Sequence, residues 1–429
     1  MTEPEHPDDA ANAVAHRTTP MVGRDPTERG RAASPLELLL DLTFVVAVGT
    51  ASSQFAEMLA ENHIGPAIIA FVLAMFAIVV AWLSFSWFAS AFDTDDWLYR
   101  VLTMLQMVGV VVFALGLPAM FHSVAEGHRL ELRLMVIGYV VMRAAMVLQW
   151  GRVARQSPSF HGVAIANIRW ISIVQIGWVI IGFAPLPIGA VVVGVLALGL
   201  LELWLPKLAQ GGAGGTPWHP HHMAERYGLF AIIALGEGVV GTVASSSGLL
   251  GGVDGMHWSV DTAAVVVAGV GLTFGMWWVY FATPFGEILT YRRDRGYLFG
   301  YGHLPLFIGI AGAGAGLHVA GLYLEHHTNL DELTVVLALA VPVGLYLSMV
   351  YLLHTLLLSA VDRFHLLLIG LTLGVLVLAG VLSAVGADIA VCLMVVMLAP
   401  YVTVVGFETV GHRHQRQMLA DHRLGNGRK

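Results

Sequence analysis

The sequence predicts an all-α polytopic membrane protein with about twelve transmembrane helices, and three observations lead to that prediction. Apolar residues make up 57% of the 429 residues and charged residues 12%, about half the charged share of a typical soluble domain. Apolar runs recur near the ~20 residues that a helix needs to cross the hydrocarbon core of a bilayer. Arg and Lys collect on one side of those runs.

The apolar runs are separated by short polar turns. In chain order they predict spans at 36–60, 64–90, 98–121, 130–150, 167–184, 187–206, 223–247, 261–283, 302–325, 332–354, 364–385 and 387–407. Only the turn from Ala184 to Pro187 separates the fifth and sixth spans, and only Gly386 to Asp388 separates the last two. The alternative for either pair is a re-entrant hairpin, which would lower the number of spanning helices but leave the side of the membrane assigned to each loop unchanged.

The positive charges test this topology independently. With the N-terminus inside, 20 of the 22 Arg and Lys residues fall on the inner side, and only Arg129 and Arg133 fall on the outer side. This asymmetry is what the positive-inside rule requires. Arg outnumbers Lys strongly, as is typical of a GC-rich bacterial genome. We therefore expect a bacterial plasma-membrane protein with both termini in the cytoplasm.

Two sequence matches favour a parallel 6+6 internal repeat, with chance similarity among aromatic-rich helix ends as the alternative. The segment WFASAFD at 87–93 aligns with YFATPFG at 280–286, and Glu37 at the start of the first helix aligns with Glu225 at the start of the seventh. Two six-helix halves insert with the same orientation. The predicted segments are a disordered cytoplasmic tail at 1–34, a first repeat at 35–206, a cytoplasmic linker at 207–222, a second repeat at 223–407 and a basic cytoplasmic tail at 408–429.

Two carboxylates lie one turn apart in the first predicted helix. A charge inside the bilayer costs at least ~2.5–3.5 kcal/mol, so each needs a partner, a cavity or a function. The run Ser34-Pro35-Leu36-Glu37 favours a capping box for Glu37 over an ion site. Asp41 lies beyond any cap, and we expect it to be a functional carboxylate or one member of a buried pair.

The seventh predicted helix carries the strongest candidate. Glu225 and Arg226 belong to its inner end, and Glu237 follows twelve residues after Glu225. At ~1.5 Å per residue, Glu237 lies about 18 Å deeper, near the bilayer midplane. The glycines around it permit close helix approach. The sequence therefore predicts an ion, proton or substrate site at Glu237.

Histidines supply the remaining candidates. His303 and His318 share roughly one face of the ninth predicted helix, around a glycine-rich run that another helix or a pore approaches. His318 is a proton-relay candidate, with a buried structural role as the alternative. The stretch from His219 to Glu225 contains ligand types for zinc, but a solvated loop is favoured. We predict no metal and no cofactor.

Other classes of function lack their signatures. There is no nucleophile elbow, P-loop, HExxH motif or dinucleotide fingerprint, and no basic patch for nucleic acid. Cys392 is the only cysteine. We therefore expect a protein that is not an enzyme, whose partners are the lipid bilayer and an ion or small-molecule substrate.

Two motifs carry a resemblance to a known family. The run from Glu37 to Asp41 and Leu42, and the run from Glu225 to Gly228 that leads to Gly236-Glu237, resemble the LtrA (low temperature requirement) family across about 34–407. Leu39 and Leu40 replace an aromatic pair that is usual before the aspartate. The resemblance implies a bacterial membrane protein linked to growth at low temperature, without an agreed biochemical activity.

A weaker resemblance concerns the function class. The acid low in the first helix and the six-helix repeats are similar to a lysosomal and bacterial potassium-channel family, although its Arg and Phe-Ser-Asp motif is only partly matched. We expect a transporter or channel for an ion or small solute. The alternatives are a non-catalytic membrane factor for cold tolerance and a membrane-embedded enzyme that acts on lipid.

Overall fold

The computed structural model describes residues 18–127, 129–210, 215–252, 255–256, 260–359 and 363–411. Twelve helices in these residues are long and apolar enough to cross a membrane. They are α1 (Pro35–Ala60), α2 (Ile64–Phe92), α3 (Trp97–Glu126), α4 (Arg133–Gln156), α5 (His161–Phe183), α6 (Ile188–Gln210), α7 (Pro220–Leu250), α8 (Val260–Phe281), α9 (Gly296–Leu324), α10 (Glu332–Leu358), α11 (Arg363–Ala384) and α12 (Ile389–Gly406). The predicted all-α polytopic fold is confirmed.

Short elements join some of the long helices. They are 3₁₀ turns at Pro158–Phe160 and Arg293–Arg295, a helix at Phe285–Tyr291, a π-helical turn at Phe407–Gly411, and a two-residue antiparallel pairing of Gly251–Gly252 with Gly255–Met256. The two close helix pairs are separate spans: α5 ends before the Pro185 and Pro187 turn, and α11 ends before Gly386, whose φ is +84°. Proline and a left-handed glycine are typical residues for ending one helix before the next begins.

The segment before α1 differs from the prediction. Residues 18–34 form specific contacts instead of a disordered tail: the Met21 N–H donates to Gln156 Oε1 at 2.9 Å, and the Arg24 N–H donates to the Ala91 carbonyl at 2.9 Å. Burial of such polar backbone groups requires partners. The rest of the predicted tails, 1–17 and 412–429, and linker residues 211–214 lie outside the described residues.

The chain forms two compact units. Unit 1 contains the described residues within Met1–Ala47, Val80–Ser123 and Gly127–Met223, and unit 2 contains those within Val48–Val79, Val124–Glu126 and Ala224–Lys429. Helices α1 and α2 each contribute one part to either unit. The 6+6 repeat, its boundaries and the cytoplasmic termini stay predictions.

In unit 2, the glycine-rich run of α9 packs against α10. A Cβ added at Gly309 would lie 2.8 Å from Tyr346 N, and one at Gly316 would lie 2.6 Å from the Ala338 carbonyl oxygen. No real Cβ tolerates these distances, so glycine is required for this approach of the two backbones. The sequence predicted that another helix or a pore approaches this run, and α10 is a helix that does so.

In unit 1, glycines bring α3 and α4 together in the same way. A Cβ added at Gly138 would lie 2.4 Å from Phe113 N and 2.5 Å from the Gly109 carbonyl oxygen. Close packing of small residues is the main source of helix association where lipid surrounds the chain. This contact holds α4 in place and so determines which helices its polar side chains meet.

Candidate functional site

Glu37 lies in the first turn of α1, in the part of that helix that belongs to unit 1, and has two roles. It forms the predicted capping box, because Ser34 N–H donates to Glu37 Oε2 at 2.7 Å while Glu37 N–H donates to Ser34 Oγ at 3.3 Å. The same carboxylate lies 3.3 Å from Nε2 of His222, and both side chains are fully buried. The capping role was predictable from local sequence, whereas the contact with His222 was not.

Asp41 lies one turn deeper in α1 and is also fully buried. Its Oδ1 accepts a hydrogen bond of 2.7 Å from the indole Nε1 of Trp82 on α2. The sequence predicted a functional carboxylate or one member of a buried pair here, and the indole N–H of Trp82 is one hydrogen-bond donor to it.

His219 and His222 are not in a solvated loop, and that expectation was wrong. Both are buried, and α7 begins between them at Pro220. His219 caps the helix: its Nδ1 accepts from the His222 N–H at 3.1 Å, and its Nε2 lies 2.9 Å from the Glu28 carbonyl oxygen. A carbonyl only accepts, so Nε2 carries the hydrogen and the ring is neutral. Burial lowers the pKa of His219, in agreement with a neutral ring.

A buried carboxyl lies just after α2. Burial first, and then the nearby charge of Glu37, raises the pKa of Asp93 from 3.8 to about 6. Arg31 acts in the opposite direction on Asp93, and its Nη2 donates to the Ala89 carbonyl at 3.0 Å. The part of unit 1 around Glu37 thus combines carboxylates, an arginine and imidazoles, and it contains a carboxyl group whose pKa is raised by burial.

Sequence reasoning missed an ion pair between α4 and α6. Arg143 Nη2 lies 2.8 Å from Glu202 Oε2, and both side chains are buried. Tyr139 donates to Glu202 Oε1 at 2.6 Å and also contacts Arg143. A buried arginine ten residues into a helix was the available signal.

Glu237 lies in unit 2, where α7 meets α1 and α9. A Cβ added at Gly49 would lie 2.7 Å from Glu237 Oε1, and one added at Gly314 would lie 2.7 Å from its Cβ. The side chain is partly exposed. Within the described part of the chain, no hydrogen bond or ion pair to this carboxylate is formed. The structure therefore leaves a carboxylate deep in a spanning helix, held between two glycines.

His318 follows one turn after Gly314 on α9. A Cβ added at Gly241, one turn beyond Glu237, would lie 2.5 Å from the Gly314 carbonyl oxygen and 3.3 Å from His318 N. Helices α7 and α9 therefore run side by side in the same direction, and His318 lies about one turn beyond Glu237. The imidazole is partly exposed.

His303 on α9 has a different environment. Its Nδ1 lies 2.8 Å from the Phe299 carbonyl oxygen, and its Nε2 lies 3.0 Å from the Tyr280 hydroxyl. The first contact requires Nδ1–H, so Nε2 accepts from the tyrosine. The ring is fully buried among aromatic side chains that include Tyr227 and Phe307. This geometry supports a structural role for His303.

The other candidates on α7 differ in exposure. Glu225 is exposed, whereas the guanidinium-bearing side chain of Arg226 is fully buried. In the described residues, no group of three or more His, Cys, Asp and Glu side chains is arranged to hold a metal ion.

Comparisons with known proteins agree with this architecture. The profile of the family described as bacterial low temperature requirement A protein (LtrA) matches residues 32–400. An uncharacterized protein of Rhizobium meliloti (strain 1021) is 26% identical over 318 residues, which cover 71% of this chain and 73% of the relative. No solved structure matches the chain. The family match covers both carboxylate motifs and all but the last turns of the spanning region, and the chain belongs to the LtrA family.

Proposed function

We propose that this multi-pass membrane protein is a transporter or channel for an ion or small polar solute, with Glu237 on the permeation pathway. The observation that carries the proposal is the Glu237 carboxylate, which lies within α7 between Gly49 and Gly314 without a hydrogen-bond donor among the described residues. A charge in this position is costly and is retained where it serves a function.

The surroundings of Glu237 support a cation or a proton as the transported species. No described residue supplies a positive charge to the carboxylate, so an anion would meet only repulsion there. Small polar side chains lie nearby: Ser52 Oγ donates to the Ala311 carbonyl at 3.3 Å, and Thr273 Oγ1 would meet a Cβ on Gly238 at 2.4 Å. Hydroxyl and carbonyl oxygens are common ligands along cation pathways.

His318 extends the same line of polar groups along α9. It lies about one turn beyond Glu237, and its imidazole is partly exposed. Carboxylates and imidazoles in series form the proton relays of many pumps and transporters. We propose that the protein lies in the bacterial plasma membrane with both termini in the cytoplasm, and that it is not an enzyme.

The test is flux through purified full-length protein in proteoliposomes, with K⁺, Na⁺ and H⁺ measured separately. Wild-type protein should carry at least one of these ions, and Glu237→Gln should abolish or uncouple that flux. Glu57→Gln is the matched control, because Glu57 is an exposed carboxylate on α1 whose partner is Gln54. Equal flux in wild type and Glu237→Gln would remove Glu237 from the pathway.

A non-catalytic membrane factor is the alternative. That function would be favoured if no ion or small polar solute crossed and if Asp41→Asn and Glu237→Gln proteins still complemented a cold-sensitive deletion strain. A lipid-acting enzyme would instead reveal itself by a chemical change in the lipids of the same proteoliposomes.

A further inference from the structure

Helix α8 of unit 2 carries an aromatic face over its last two turns. Phe274, Trp277, Trp278 and Phe281 follow the i, i+3, i+4, i+7 spacing that places side chains on one side of a helix. The centroids of the Phe274 and Trp277 rings are 5.6 Å apart, and those of Trp277 and Phe281 are 5.5 Å apart. Three of the four side chains stay at least 38% exposed.

This face forms one wall of an open groove of about 350 Å³. Phe407 and Glu408, in the turn that follows α12, also line the groove. The indole Nε1 of Trp278 donates to Glu408 Oε1 at 3.3 Å, which holds the carboxylate at the edge of the rings. None of the described residues that line the groove is basic.

The chemistry of the groove selects a cation. Aromatic faces attract ammonium groups through their quadrupole, most strongly at tryptophan. The Glu408 carboxylate adds a full negative charge and hydrogen-bond acceptors for an N–H donor. An acyl chain would use the rings but would gain nothing from the carboxylate, and a phosphate alone would be repelled by it.

The position of the groove indicates the source of the ammonium group. Helix α8 has 22 residues, about 33 Å at ~1.5 Å per residue, so its last two turns reach the level of the lipid headgroups. Aromatic belts are found at that level in many membrane proteins. A belt accounts for the rings, but it does not account for a carboxylate hydrogen-bonded among them.

We propose that the groove formed by α8, Phe407 and Glu408 binds the ammonium headgroup of a zwitterionic phospholipid. The ammonium lies over the Trp277 and Trp278 rings and donates to Glu408, and its phosphate lies outside the aromatic wall. The site is independent of Glu237 and of any transported ion.

Native mass spectrometry of the full-length protein tests this assignment. The protein is titrated with phosphatidylethanolamine and, separately, with phosphatidylglycerol of the same acyl chains, which lacks the cation. Wild-type protein should bind phosphatidylethanolamine at a concentration about tenfold lower than it needs to bind phosphatidylglycerol. Glu408→Gln and Trp277→Leu should each remove most of this preference, and Trp277→Phe should remove part of it.

Trp204→Leu is the matched control, because Trp204 is also an exposed tryptophan but already has the ammonium of Lys207 at 5.0 Å from its ring centroid. This variant should keep the preference. Equal retention of the two lipids by wild type, or an unchanged preference in Glu408→Gln and Trp277→Leu, would overturn the proposal. Equally tight binding of glycerophosphoethanolamine, which has no acyl chains, would overturn the lipid source and leave a site for a soluble ammonium compound.

Discussion

The imidazole Nε2 of His222 lies 3.3 Å from Oε2 of Glu37, although 185 residues separate them in the chain. Each residue belongs to the first turn of its own helix, α1 or α7, and both side chains are fully buried in unit 1. The contact therefore joins two helix starts through one carboxylate, which also closes the capping box with Ser34. Loss of either partner should affect both helix ends.

A double-mutant cycle measures that connection. We expect Glu37→Gln and His222→Gln each to lower the free energy of unfolding, and the double variant to lower it by less than the sum, with an interaction energy of about 1–3 kcal/mol. Thermal unfolding of detergent-purified protein gives the three differences. His221→Gln, at the exposed neighbouring position, should change little. Additivity within about 0.5 kcal/mol would show that the contact contributes nothing.

Asp93 should make the stability of the protein depend on pH. Its pKa is about 6 in the fold against an ordinary 3.8, so the folded state binds the proton more tightly than the unfolded state. The resulting stabilisation is complete below pH 3.8 and is lost as the pH rises through 6. Between pH 4 and pH 8, the free energy of unfolding of Asp93→Asn should therefore rise relative to that of wild type by at most about 3 kcal/mol.

The measurement is the melting temperature of wild type and Asp93→Asn across that pH range. Asp95→Asn is a suitable control, because Asp95 is an exposed carboxylate two residues away whose partner is Arg100. A difference in melting temperature between wild type and Asp93→Asn that stays constant with pH would contradict the raised pKa.

Loss of one member of the Arg143–Glu202 pair should lower the free energy of unfolding strongly, whereas replacement of both members by apolar residues should lower it little. Arg143→Met or Glu202→Leu alone leaves one buried charge without its ion-pair partner, and each should cost about 3–5 kcal/mol. The double variant should recover most of that loss, because a buried pair often gives no more stability than apolar side chains of similar volume. Thermal unfolding of the three variants decides this. A double variant less stable than either single variant would indicate a further role for the pair.

Gly49→Ala offers a way to displace the Glu237 carboxylate without removing it. The new Cβ would lie 2.7 Å from Glu237 Oε1, and the flexible end of the side chain must shift to avoid it. We expect little loss of stability and a clear loss of the flux assigned to Glu237. Gly236→Ala is the control, since a Cβ there meets no atom within 4 Å. Equal flux in the two variants would show that the position of the carboxylate does not matter.

The number, order and approximate limits of the twelve helices were determined by the sequence alone. An apolar run of about 20 residues is a local property of the sequence. Such a run forms a helix in lipid because the backbone N–H and C=O groups of the chain find no other hydrogen-bond partners there. The capping box of Ser34 and Glu37 was determined in the same way, since its two residues are three apart. The glycine-rich run of α9 predicted close approach by another helix or a pore, and the structure shows that α10 approaches it.

Only the tertiary structure decided which polar groups meet. Trp82 as the donor to Asp41 is 41 residues away, and Glu202 as the partner of Arg143 is 59 residues away. Hydropathy carries no information on such pairs, because the faces that meet helices and the faces that meet lipid are equally apolar. The aromatic groove beside Glu408 lies between α8 and the turn after α12, and the sequence did not predict it for the same reason. Helix packing, not helix formation, determines where the chemistry of this protein lies.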